Sequence, residues 1–190
     1  MPMRKRIILV GRTEEPSIHF VSSKGLGRQH RKVNGQLIEF EKVPCYEELE
    51  EAELSNALLC MEQLDDVRPE NMGHHGRGMI YMPRLAEWEI DTALFLLQQI
   101  PKRRHPAAWL GVAAKGESIG GMLLELLTNF GIIQGKNDYR LFLGIPKELN
   151  IQELASIEDV LLEYMNEDCK LYIEQIILEK TMQWSAILTC

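Results

Sequence analysis

The chain has 190 residues, 45% of them hydrophobic and 26% charged, with a formal net charge of −7 at pH 7. That length fits one ordinary domain burying roughly 70% of its unfolded surface, and the composition excludes disordered, collagen-like and coiled-coil classes. No run approaches the ~20 apolar residues of a membrane span, and Met1-Pro2-Met3-Arg4-Lys5-Arg6 lacks the small-residue cleavage site of a secretory signal, so a soluble cytoplasmic protein without a membrane partner is expected.

The first third reads as strands. Arg6 to Gly11 (RIILVG) is an apolar run of buried-strand type, and Ser17 to Ser22 and Lys32 to Phe40 follow, the latter containing Asn34-Gly35, a strong tight-turn signal. Between them lies a glycine-bearing basic loop from Lys24 to Lys32, and Pro44 stops the sheet. From Tyr46 to Leu64 apolar residues recur at helical spacing behind five glutamates (47, 48, 50, 51 and 53), which favour the positive end of a helix dipole. This predicts an acidic amphipathic helix over 46–64, followed by a polar, glycine-rich loop over 65–78.

The rhythm then changes to strand–helix alternation. Met79–Met82, Ala107–Ala113 and Tyr139–Ile145 are predicted strands. Leu85–Ile100 and Ile119–Phe130 are predicted helices, the first ended by Pro101 and the second capped by Gly131. Asn150 with Glu153, and Ser156 with Asp159, look like helix starts, with Ile157, Val160, Leu161 and Tyr164 as the buried stripe. Leu171–Leu178 and Gln183–Leu188 close the chain as strands.

With no repeat and no linker, one α/β domain over 1–190 is expected: a strand-rich basic segment at 1–43, the acidic helix, strand–helix repeats at 79–166 and terminal strands at 171–190. Strand–helix–strand blocks imply parallel core strands covered by helices, a Rossmann-like arrangement. The early strands and the last pair are expected to extend this mixed sheet as antiparallel members, and exposed C-terminal edge strands make a homodimer an expected assembly.

Four cysteines (Cys45, Cys60, Cys169, Cys190) show no Cys-x-x-Cys pair and no histidine at ligand spacing, so no metal is expected and the thiols read as reduced. No residue pattern names a cofactor. Charge is unevenly placed. Residues 1–36 carry eight basic against two acidic side chains, a net +6, and the rest carries −13. Such segregation fits a polyanion bound through Lys24, Arg28, Arg31 and Lys32, or neutralisation within the fold.

The most informative segment runs from Ala107 to Met122. A buried strand leads into a glycine-bearing turn from which a helix opens directly, the kind of junction at which open α/β sheets bind ligands. Free amides at a helix start attract phosphate or carboxylate. Gly116, Gly120 and Gly121 permit close approach, Lys115 and Ser118 offer a charge and a hydroxyl, and Arg77 is a second candidate cation. The stretch matches neither Gly-x-Gly-x-x-Gly nor Gly-x₄-Gly-Lys-Ser/Thr. The alternative is that Ser118 caps the helix and the glycines serve packing.

Gly116-Glu117-Ser118-Ile119-Gly120, followed by Gly121, also resembles the nucleophile elbow in the esterase branch of the α/β-hydrolase family, and Gly73-His74-His75-Gly76-Arg77-Gly78 its glycine-rich oxyanion loop. The resemblance implies Ser118 as nucleophile, with an acid and then a histidine downstream. Asp138, Asp159 and Asp168 follow, but all five histidines (His19, His30, His74, His75, His105) precede Ser118, so the family's order is broken and His75 is left as the candidate base. His105 lies in a basic connector, residues 102–106, that meets a polyanion or neutralises the end of the preceding helix. Ile7 to Pro16, with Ser23 and Gly25 after it, is similar to the first strand and turn of single-stranded DNA-binding proteins, whose OB folds stack bases in a basic groove. That likeness does not extend beyond these residues.

Three functional expectations result. The first is binding of a small anionic ligand, a nucleotide or phosphate ester, at 115–121 by a sensor, a regulatory subunit or an enzyme. The second is a serine hydrolase using Ser118. The third is a nucleic-acid or protein interaction module using the basic N-terminal segment.

Overall fold

A computed structural model of the chain describes residues 5–11, 28–33, 35–43, 57–62, 78–99, 109–131, 138–146, 151–165, 168–179 and 182–189. The elements, in chain order, are β1 (Lys5–Val10), β2 (Arg28–Val33), β3 (Gln36–Val43), β4 (Ala57–Met61) and β5 (Gly78–Tyr81), then a 3-10 turn at Leu85–Glu87 and α1 (Ile90–Gln99). After these come β6 (Trp109–Gly116), α2 (Ile119–Phe130), β7 (Asp138–Pro146), α3 (Ile151–Glu163), β8 (Lys170–Leu178) and β9 (Trp184–Thr189). The chain divides into two compact units, Met1–Phe95 with Pro101–Leu110, and Leu96–Ile100 with Gly111–Cys190.

In the first unit the strands are ordered β2-β3-β1-β4-β5. β1 pairs in parallel with β3 and β4, and β4 in parallel with β5. Ile7, Ile8 and Leu9 are all buried, as a continuous apolar run must be when both faces of a strand are covered. β2 and β3 form an antiparallel hairpin in which Gly35 takes φ 78, a left-handed conformation that glycine adopts at no steric cost. This turn falls where Asn34-Gly35 puts it. The basic stretch Arg28–Lys32, expected as loop, is instead strand.

The acidic helix expected over 46–64 is corrected in its last part. Ala57–Met61 is strand β4, lying between β1 and β5, and four of its five consecutive apolar residues are buried. A short apolar run fits a buried strand or a buried helix turn equally well by periodicity. The neighbouring glutamates favour a helix start and so extend the helical pattern across it. Residues 46–56, the strand expected at 17–22, and the loop at 65–77 lie outside the described residues.

In the second unit the order is β6-β9-β7-β8. β9 runs antiparallel to both β6 and β7, while β7 and β8 are parallel. β9 therefore lies inside its sheet, not at an edge, and all six of its residues are buried. α2 covers one face, burying Met122, Leu123, Leu126 and Phe130, with the Phe130 ring tilted at 55° against Tyr139 (centroids 5.3 Å apart). α3 buries Ile157 and Leu161 as expected, but Tyr164 follows its last turn and is half exposed. Gly131 is the C-cap residue of α2, as expected, and takes a right-handed conformation there (φ −51). The architecture is thus mixed α/β, with parallel strands, antiparallel members in both parts of the chain, and helices between strands. Among the described residues no helix is long and apolar enough to cross a membrane.

Candidate functional site

β6 runs three residues further than expected, so Lys115 and Gly116 belong to the strand and the turn consists of Glu117 and Ser118 alone. Ser118 has extended backbone (φ −126, ψ 153), and its Oγ accepts a hydrogen bond from the Gly121 N–H at 3.2 Å, the geometry of a helix N-cap. The first turn of α2 closes as Met122 N–H donates to Ser118 O at 3.0 Å. The amides of Ile119 and Gly120 lie before any intrahelical acceptor. Glu117, Ser118, Gly120 and Gly121 are exposed, and a Cβ added at Gly120 would meet nothing within 4 Å. The mouth is open. No acidic side chain lies in the first turn to neutralise the positive helix end, although Glu117 stands just before it.

Gly116 is needed for packing. A Cβ there would come within 3.0 Å of the Met122 amide nitrogen, so α2 lies on the face of the sheet toward which residue 116 points. Side chains alternate along a strand, which sends Lys115 to the opposite face. There it stands across from Ser185 of β9, is only 8% exposed, and already has a partner. The structure thus gathers Gly116, Ser118, Gly120 and Gly121 at one mouth and turns Lys115 away from it. The direction of Lys115 depends on where β6 ends, and no local signal in Ala-Ala-Lys-Gly marks that end.

Ser185 was not singled out by sequence reasoning. Its side chain is 1% exposed, and its Oγ is buried without a hydrogen-bond partner. It is also opposite Gly144 of β7, where an added Cβ would overlap the Ser185 hydroxyl and approach Leu178 Cδ1 to 2.7 Å. A lone serine between apolar segments gives no sequence cue to such a position.

In the first unit a charged ladder crosses three strands. Arg6 of β1 pairs with Glu39 (3.4 Å) and Glu41 of β3, and His30 of β2 lies 3.4 Å from Glu39. Glu41 is buried at 8% exposure, and the strand register sets Arg28 opposite it. Part of the basic N-terminal charge is therefore neutralised by acids just beyond it in sequence. Lys32 is exposed on β2, opposite Leu37, and Arg31 is in register with Ile38. Lys24, His74, His75, Arg77 and His105 lie outside the described residues. His30 is the one described histidine, so the hydrolase expectation gains no base from the described residues, and Ser118 acts structurally as a cap. The described residues show nothing of the OB-type course: β1 sits between two parallel neighbours.

Among the described residues no three His, Cys, Asp or Glu side chains gather as metal ligands. Cys60, on β4, is fully buried, and burial pushes its thiol from 9.0 up to about 12. It is an apolar core residue with no thiolate character.

No protein-family model matches the chain, and no curated protein matches it. Among solved structures it is similar to an empty FtsZ dimer from M. jannaschii at 9% identity and a TM-score of 0.43, the match covering 72% of this chain and 54% of that one. It is also similar to a tryptophan-to-tyrosine mutant of the same protein at 9% identity and a TM-score of 0.40, covering 72% and 55%. The chain spans about half the length of these proteins. A likeness of this extent concerns the general α/β course of the backbone alone.

Proposed function

We propose that the chain binds a small anionic ligand, of the nucleotide or phosphate-ester class, at the mouth formed by the end of β6 and the start of α2, and serves as a sensor or regulatory subunit. The observation that carries this reading is the open start of α2. Two amides without intrahelical acceptors point out of a 12-residue helix through a turn with no side chain over Gly120. Ser118 and Gly121 form the rim. Lys115 acts from the opposite face as a source of positive field and not as a direct ligand. Arg77 serves as a second cation for the ligand.

A thermal-shift panel of inorganic phosphate, nucleoside mono-, di- and triphosphates and sugar phosphates tests it. A ligand present at about a hundred times its dissociation constant stabilises by about 2.7 kcal/mol, which for a chain of this size raises the melting temperature by roughly 5–10 °C. Gly120→Val, which places a branched side chain over the amides, removes the shift, and Glu117→Gln, which removes a competing carboxylate, enlarges it. No shift with any anion, or a shift that survives Gly120→Val, overturns the proposal.

A further inference from the structure

Among the described residues β8 (Lys170–Leu178) occupies the last position in the strand order of its unit and pairs through one edge with β7. It is nine residues long, holds no proline, and leaves Tyr172 50% and Ile177 66% exposed. A proline-free edge of this kind recruits another strand where its charges find complements, and is blunted where they do not. We propose that this edge receives a second copy of the chain, β8 against β8 in antiparallel pairing about a two-fold axis through Tyr172.

Charge complementarity selects both the occupant and the register. In an isologous contact residue i faces j while j faces i, and an axis perpendicular to the sheet keeps residues of the same face opposite one another. With Tyr172 on the axis, Lys170 faces Glu174 of the partner subunit, and Glu174 faces the partner subunit's Lys170. Opposite charges then meet twice, and Leu171 meets Ile173 on the other face. An axis through Glu174 sets two carboxylates against each other. An axis through Ile173 leaves Lys170 facing Ile176, and one through Gln175 leaves Glu174 facing the same apolar residue.

Two of the side chains that this register uses, Tyr172 and Glu174, are already held by a neighbour on β7. Arg140 of β7 donates to Glu174 Oε1 at 3.0 Å, and its guanidinium carbon lies 5.8 Å from the centre of the Tyr172 ring. Glu174 keeps its second carboxylate oxygen for an incoming ammonium. A second copy of the strand, run in reverse, presents lysine and glutamate in the matching order on both sides of the axis. This contact is independent of the ligand reading above.

Sedimentation equilibrium across a micromolar concentration series, together with variants, tests the contact. The wild type forms a species of twice the 21.9 kDa chain mass. Lys170→Glu and Glu174→Lys, each placing like charges opposite, are monomeric with far-UV spectra like the wild type. An equimolar mixture of the two restores the dimer, because each supplies the charge the other lacks. Tyr172→Cys gives a covalent dimer on mild oxidation, since residues directly opposed in antiparallel strands have Cβ atoms about 4.5–5.5 Å apart. Ile177→Cys does not cross-link to itself. A wild type that stays monomeric, folded single variants whose mixture stays monomeric, or cross-linking through Ile177→Cys and not Tyr172→Cys overturns the proposal. If Glu174→Lys does not fold, the two cysteine variants decide it alone.

Discussion

Ser185→Ala is expected to stabilise the protein. The Ser185 hydroxyl is shut away from water between β6 and β7, with no partner for its oxygen. A buried polar group left unsatisfied costs about 1–3 kcal/mol relative to one that is bonded or absent. Alanine removes that oxygen and leaves a gap of one atom beside Gly144 and Leu178, for which lost dispersion contact offsets less than about 1 kcal/mol. The net gain is about 1 kcal/mol, or roughly 2–4 °C in melting temperature for a chain of this size. Urea titration followed by far-UV circular dichroism, with an unchanged slope against denaturant, measures it directly. Gly144→Ala supplies the complementary arm. Its new methyl overlaps the same hydroxyl and presses on Leu178, a loss of about 1–3 kcal/mol from overpacking. In the double variant the hydroxyl is gone, so the loss shrinks and the two substitutions couple by roughly 0.5–1.5 kcal/mol. A Ser185→Ala protein that is less stable by more than about 1 kcal/mol, or strictly additive effects, would show that the oxygen has a partner and that the crowding is misplaced.

Three further outcomes are expected. Ser118→Ala removes the N-cap of α2 and lowers stability by about 0.5–2 kcal/mol by the same titration, and Ser118→Gly costs only a few tenths; equal losses for both would remove the capping role. Arg6→Met leaves Glu41 buried beside Glu39 without the guanidinium that now joins them, a loss on the order of 3 kcal/mol that Arg6→Met with Glu39→Gln and Glu41→Gln substantially recovers; no loss in the single variant contradicts the ladder. Cys60 ionises near 9.0 when the chain is unfolded but only near 12 when folded, so its contribution is intact below pH 9 and declines by up to about 1.4 kcal/mol per pH unit above it. Cys60→Ala accordingly loses less stability than the wild type between pH 9 and 11. Thiol labelling of the native protein at pH 8, read by peptide mapping, leaves Cys60 unmodified, and rapid labelling there refutes its burial.

Segments whose signal is local were legible in the sequence. The bounds of α2 follow from Ser118 at one end and the helical spacing up to Phe130, and the hairpin turn follows from Asn34-Gly35. β1 announces itself through Ile7-Ile8-Leu9-Val10, because a strand covered on both faces has no polar residue to interrupt its middle. Two elements were hidden for opposite reasons. β2 reads Arg-Gln-His-Arg-Lys-Val, with no apolar alternation, because an edge strand is held by its ladder and by contacts such as His30 with Glu39. β4 reads as five apolar residues in a row, which a helix would also accept. The site was legible in its glycines and in Ser118. The direction of Lys115 was not, since it turns on whether β6 ends at residue 113 or at 116, and a one-residue change in a strand's parity reverses the face. The position of β9 was not legible either, because strand order is fixed by pairing between residues far apart.

β9 also constrains how the second unit can fold. β6 and β7 follow one another along the chain with a single helix between them, yet the two are joined only when Trp184–Thr189 slots in and pairs with both. Assembly cannot zip forward hairpin by hairpin. It must wait on a long-range encounter, which slows folding and makes it all-or-none, and a chain clipped before that segment would show two raw sticky margins to its surroundings instead of one seam.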